Sequence, residues 1–446
     1  MNHVSQMSRR AWLRAARDAS CAICLTTAAG SCVPSRGTIS RTDSTAATSS
    51  FSPEEIALLD DIERTGCLYF WEASHPKTGL AKDRSLAQGA DIRRIASIAA
   101  TGFGLTALCI AAERGFLSRE AVRERVRTTL RFLQSELPHE HGFYFHFIDW
   151  ETGQREWSCE LSSIDTALLL CGVIMVGEYF RADGEIAKLA REIYERVDWQ
   201  WMLAGGLTLS HGWKPENGFL KNRWDHYCEL MLLYLLALGS PTHPIPASCW
   251  NAWTRPRYRH FGHDYIGSPA PLFVHQYSHA WFDFQNRRDA SADYFENSIT
   301  ATKVHRLFCI ELHKRFPQFG EDLWGLTASD SAEGYQAWGG PPEMGKLDGT
   351  LVPCAAAGSL PFLPRETLHT LRVMRERFGD RVWKRYGFVD AFNPHTGWFN
   401  PDVIGIDVGI SVLMAENAQS GLVWRTFMRN EGVRCAMQRA GFRISA

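Results

Sequence analysis

The chain has 446 residues, 48 Lys and Arg against 49 Asp and Glu, a formal net charge of −1 and 45% hydrophobic residues. That is ordinary globular composition, enough for one large domain or two medium ones. The balanced charge argues against a nucleic-acid or anionic-membrane surface, so no nucleic-acid partner is expected.

The first segment reads as an address and not as fold. Ser8-Arg9-Arg10-Ala11-Trp12-Leu13-Arg14 has the form of a twin-arginine export signal, and a weakly apolar, Ala-rich run follows. Ala29-Gly30-Ser31-Cys32 has the form of a bacterial lipobox, with Ala29 where Leu is preferred. Residues 1–32 are therefore expected to direct export, with Cys32 as the lipidated residue; a plain signal with a nearby cleavage site is the alternative. Residues 33–51, rich in Ser, Thr and Ala, read as a flexible tether. The expected location is outside the cytoplasm, periplasmic or at the cell surface, with a lipid anchor and a monomeric chain. Most of the later cysteines sit in apolar helical runs, where buried free thiol is the default.

Residues 52–446 read as one domain of alternating helices. Ser52-Pro53-Glu54-Glu55 offers a capping box with Pro in the first turn. Mostly apolar helices are expected to begin near 97, 162, 224, 293, 349 and 405, and amphipathic or charged ones near 53, 119, 184, 246, 364 and 422. The run from Leu230 to Leu238 is apolar at every position. A helix of that kind is normally wrapped by others. Alternating buried and half-exposed helices, with little strand pattern, predict an all-α (α/α)6 barrel of six inner and six outer helices, with short β-hairpins in the rim loops. The alternation slips once, where the candidates at 293 and 349 follow each other as inner helices.

In such a barrel the inner helices run one way, so their amino ends meet at one rim. Asp83, Asp165, Asp225, Glu229, Asp330, Asp348 and Asp407 all fall at or before those ends. Each alone reads as a cap, because a carboxylate near a helix amino end satisfies free N–H groups. Capping does not call for the Arg and aromatic residues that share these loops: Arg84, Trp213, Tyr227, Trp281, Trp324, Tyr335 and Trp398. His146, Glu160 and Asp283 add further polar contacts for sugar hydroxyls. Two carboxylates with aromatic platforms for pyranose faces fit glycoside hydrolysis. Glu229, expected one turn inside its helix and on one face with Asp225, should be buried and suit a general acid. Asp407 and Asp165, nearer their helix ends, suit a base. His139, Glu140, His141 and His146 match no metal-binding spacing, so no metal or cofactor is expected.

Several longer motifs carry a resemblance. Gly102-Phe103-Gly104-Leu105-Thr106, Ser163-Ile164-Asp165-Thr166, Trp224-Asp225 with Tyr227 and Glu229, Trp324-Gly325-Leu326-Thr327-Ala328-Ser329-Asp330 and Asp348-Gly349-Thr350 occur in the order seen in the bacterial glycoamylase-like family. That family resembles glycoside hydrolase family 144 and includes endo-β-1,2-glucanases. The likeness runs from about residue 55 to 442 and implies an (α/α)6 fold, β-1,2-glucan or sophoro-oligosaccharide substrates and no metal. It also implies the general acid at Glu229 and the base at Asp407, with Val408 where a polar residue is expected. Two other readings remain open on the same barrel. One is a non-catalytic glycan-binding lipoprotein, and the other is a different carbohydrate-active enzyme, a lyase or transglycosylase.

Overall fold

The structure, a computed structural model, describes residues 51–445. The export segment, Cys32 and nearly all of the 33–51 tether lie outside the described residues. The first helix, α1 (Pro53–Glu72), starts as its sequence dictates. Ser52 Oγ accepts from Glu55 N–H, and the Glu55 carboxylate accepts from Ser52 N–H at 2.7 Å.

Helices of two kinds follow. α2 (Ile98–Glu113) is buried at almost every position, whereas α3 (Arg119–Ser135) buries one stripe and leaves its charges outside. α4 (Ser163–Tyr179) and α5 (Gly184–Glu195) repeat that contrast. The two buried helices cross closely because glycine stands at the contact on each. A Cβ at Gly102 would lie 2.2 Å from the Leu168 carbonyl oxygen, and one at Gly172 would lie 2.1 Å from that of Gly102. After the single turn α6 (Trp199–Met202) comes α7 (Met231–Gly239), which is wholly buried. Burying one leucine of α7 is worth about 2 kcal/mol.

The second half is less regular. Leu272–His275 and Tyr277–Ala280 are buried 3₁₀ turns. They precede α8 (Tyr294–Glu311), whose buried residues fall on one face. α9 (Pro353–Ala357) is short and buried, α10 (Pro364–Phe378) is amphipathic, and α11 (Gly405–Gln419) is again mostly buried. The buried segments follow one another in a closed circuit. α2 packs on α4, α4 on α7, and α7 on the turn Tyr277–Ala280. Gln276 reaches the next segment through Ala355 O and Ser359 Oγ, α9 packs on α11, and α11 returns to α2. The last helices, α12 (Leu422–Phe427) and α13 (Glu431–Arg439), lie against the carboxyl ends of this circuit, with Trp424 Nε1 donating to His279 O at 2.6 Å.

Four sequence expectations change. α8 is half-exposed, and the buried element at its place in the circuit is the 3₁₀ pair at 272–280, which repairs the slip in alternation. α7 begins at Met231 and not at Trp224. The outer helix expected near 246 is the 3₁₀ turn Ala247–Asn251. The closing helix near 422 is divided in two. Strand content is modest, with seven two-stranded sheets and one of three strands among the described residues. Some are the expected hairpins, and others join distant segments. The cysteines among the described residues are all free, and Cys435 alone of them is partly exposed. Among the described residues no helix is long and apolar enough to cross a membrane.

Candidate active site

The amino ends of the buried helices are tied together by short backbone ladders. Arg84–Leu86 pairs with Asp402–Ile404 ahead of α11, and Ile95–Ser97 pairs with Phe147–Asp149 ahead of α2. Leu161–Ser162, ahead of α4, pairs with Gly212–Lys214. Trp224 N donates to Leu209 O, which brings the approach to α7 to the same rim. At the start of α11, Gly405 N donates to Asp83 O at 2.7 Å. A Cβ on Gly405 would sit 2.8 Å from Ala100 Cβ, so glycine is what allows α11 to dock there.

One acidic group gathers at this seam. Arg84 donates to Asp330 at 2.7 Å and to Asp83 at 3.2 Å. Asn400 Nδ2 donates to both Asp330 and Asp390 at 3.1 Å, and Asp330 N donates to Asp390 at 2.8 Å. Asp390 also faces Asp407 in the first turn of α11. Burial, then the carboxylates of Asp407 and Asp330, push Asp390 well above the usual carboxylate range. Asp390 and Asn400 are absent from the sequence-derived site. The available signal was a lone acid inside the apolar run Val389-Asp390-Ala391-Phe392.

A second group sits before α4. Ser162 caps the helix by accepting from Asp165 N–H and donating to the Asp165 carboxylate. His146 Nδ1 lies 3.2 Å from Glu160 and 3.6 Å from Asp165. The three offer ligand atoms within 4.8 Å of one another, so they have the types and spacing to hold a cation. They equally form a hydrogen-bonded set that needs none. Of the His-rich stretch, His139 and His141 lie elsewhere, with His141 stacked on Trp201. Beside this group, Trp224 Nε1 donates to Ser163 Oγ and its ring stacks on His211.

Glu229 is buried, 1% exposed, as expected, but for a different reason. It lies in a turn just before α7, where Ser278 Oγ donates to its backbone carbonyl. Asp225 and Glu229 therefore do not share a helix face. Asp225 instead approaches His226 at 2.7 Å, while its carbonyl accepts from Thr254 N. Asp348 accepts from Thr350 N at 2.8 Å, as a local turn would.

The aromatic expectations divide. Tyr335 is a half-buried loop residue, Trp398 is half-buried in a short hairpin strand opposite Asn393, and Trp213 is half-buried beside Trp201. Tyr227, Trp281 and Trp324 are core and not rim. Tyr227 is enclosed with Trp253, Tyr294 and His275, and its hydroxyl bonds His275 at 3.0 Å. Trp281 donates to Thr106 at 2.9 Å and packs on Phe103. Asp283 follows the carboxyl end of the 277–280 segment, close to Phe284 and its neighbour Phe442, so it belongs to the opposite end of the molecule. There burial raises its pKa.

A family model described as "Putative glucoamylase" matches residues 221–431. A solved structure described in the same words, from Bacteroides fragilis NCTC 9343, is 31% identical, with a TM-score of 0.80 over 89% of this chain and 99% of that one. The endo-β-1,2-glucanase of Chitinophaga pinensis, solved with sophorotriose and glucose, is 28% identical, with a TM-score of 0.81 over 88% and 99% of the two chains. The exo β-1,2-glucooligosaccharide sophorohydrolase of Parabacteroides distasonis is 28% identical over 86% of this chain. The chain spans 57% of that protein's length. The fold is one shared with solved helical glucanases, and the chain belongs to the glycoamylase-like family.

Proposed function

We propose that this chain is an exported glycoside hydrolase that cleaves β-1,2-glucan or its sophoro-oligosaccharides on an (α/α)6 barrel. The observation that carries this reading is the convergence of Asp83, Asp330, Asp390 and Asp407, with Arg84, on a rim whose backbone ladders also hold Asp165 and lead to Glu229. The circuit of buried segments supports the barrel, and the named activities of the Chitinophaga and Parabacteroides relatives support the substrate class.

Glycosidic cleavage needs a proton for the leaving oxygen and a carboxylate at the anomeric carbon. Glu229, buried before α7, is assigned as the proton donor. Asp407 is assigned as the carboxylate that activates water or meets the anomeric carbon, with Asp165 as the second candidate. Asp83, Arg84, His146, Glu160, Asp225 and Asp330 are available to bind hydroxyl groups. No step in this scheme needs a metal.

Incubation with linear β-1,2-glucan, followed by NMR of product length and anomeric form, tests the activity. Release of short β-1,2-linked products is expected. Products with a new unsaturated end would make the chain a lyase, and binding without cleavage would make it a glycan-capturing protein. For export, Cys32→Ala should move the protein from the membrane fraction to the soluble one. An unchanged distribution would remove the lipid anchor from the proposal.

A further inference from the structure

We infer that Asp390 is a positioning residue that works as a neutral acid, donating a hydrogen bond to Asp407 and holding that carboxylate ionised and oriented. The inference rests on the assignment of Asp407 above. Three features of the structure lead to it.

The first is charge. Asp83, Asp330 and Asp390 lie around one guanidinium, and Arg84 directs its hydrogen bonds to Asp330 and Asp83. The small cavity beside Asp390 and Asp407, about 30 Å³, is lined by Ile62 and Val412 together with Thr65, Ser411 and the Cys354 thiol, which approaches Asp407, and its lining contains no Lys, Arg or His. Two facing carboxylates with exposures of 4% and 7% repel each other there, which favours a proton on one of them.

The second is which of the two is neutral. Asp390 Oδ2 accepts from Asp330 N–H at 2.8 Å and from Asn400 Nδ2 at 3.1 Å. Its other oxygen, Oδ1, is buried and receives no donor. A proton on Oδ1 satisfies that atom and gives Asp407 a donor. Asp407, in the first turn of α11, lies where the helix dipole favours negative charge. Asp390 has no such helix, since it sits in the loop between α10 and α11.

The third is rigidity. Asn400 Nδ2 bridges Asp330 and Asp390, and the ladder at Asp402–Ile404 continues into α11. The donor and its acceptor are thus fixed by the same short stretch of chain. An oriented, charge-assisted hydrogen bond of this kind aims the carboxylate without adding charge.

Asparagine reproduces the proposed state of Asp390, with an oxygen to accept from Asp330 and Asn400 and an amide to donate to Asp407. Asp390→Asn is therefore expected to keep kcat within about tenfold. Asp390→Ala should lose about a hundredfold in kcat with KM within about threefold, the scale of removing one preorganised donor. An Asp390→Asn as damaged as Asp390→Ala would overturn the inference, because Asp390 would then act ionised. A second readout needs no substrate. The infrared difference between wild type and Asp390→Asn at neutral pH should show one protonated carboxyl in the wild type, and its absence would equally overturn the inference. If the wild type releases nothing from β-1,2-glucan, the functional reading fails while the infrared result still decides the pair.

Discussion

The two ends of α11 carry buried carboxyl groups in opposite circumstances. Asp407, in the first turn, faces Asp390 and sits at the helix end that favours a carboxylate. Glu416, near the last turn and 1% exposed, sits at the end that disfavours one and lies close to Glu63, which is fully buried in α1. There Arg114 closes the group, donating to Glu416 at 2.7 and 3.1 Å and lying 3.3 Å from Glu63. Ser420 adds a further donor. The far end thus has its own guanidinium and hydroxyl, as a structural network requires. At the rim end Arg84 bonds Asp330 and Asp83, and the partner proposed for Asp407 is a neutral acid. Under the proposed function, similar residue types serve stability at one end and chemistry at the other.

Replacements at the two ends should therefore fail differently. Asp407→Asn should lower kcat by about a thousandfold, the middle of the range for general acid–base groups. Its melting temperature should stay within a few degrees, as read by calorimetry. Arg114→Leu should do the reverse. It leaves two buried carboxyls without their cation, costing about 3–5 kcal/mol in denaturant unfolding, with activity per folded molecule unchanged. If both variants lost activity in proportion to stability, the division would collapse.

A finer test uses pH. Burial and then Glu416 raise Glu63 above the usual carboxylate range, against the opposing pull of Arg114. A raised folded pKa means that the folded state holds the proton more tightly. Stability from this group is full below the unfolded carboxylate range and is lost as pH rises toward the folded pKa. Glu63→Gln should flatten that loss, so the melting temperature falls less between weakly acidic and alkaline pH than in the wild type. An equal slope in both proteins would assign the pH dependence elsewhere. The smallest effect is expected at Tyr227→Phe, which loses the His275 hydrogen bond and about 1 kcal/mol. KM should not change, because the ring is core; a raised KM would return it to the rim.

Local patterns in the sequence located the buried helices well and the site only partly. The all-apolar run Leu230–Leu238 announced its own burial, and Ser52 marked the start of α1 by cap chemistry. The start of α7 was hidden because Asp225 and Tyr227 pair with Thr254, a contact no local periodicity records. The 272–280 turns escaped because two 3₁₀ pieces are too short to show a helical repeat. Among the site residues, the amino-end acids were recognisable by position, whereas Asp390 and Asn400 belong to a loop and gain meaning only against Asp330 and Asp407. Trp281 and Trp324 were placed at the rim because polar neighbours surround them in sequence, while in space they are enclosed.

The most direct measurement of the account is the rate of product release from linear β-1,2-glucan by the full chain and by Glu229→Gln, followed by NMR. We expect the wild type to release short β-1,2-linked products and the variant to be slower by about a thousandfold with its fold intact. Unchanged release by a folded Glu229→Gln would contradict the assignment of the proton donor and the rim chemistry built on it.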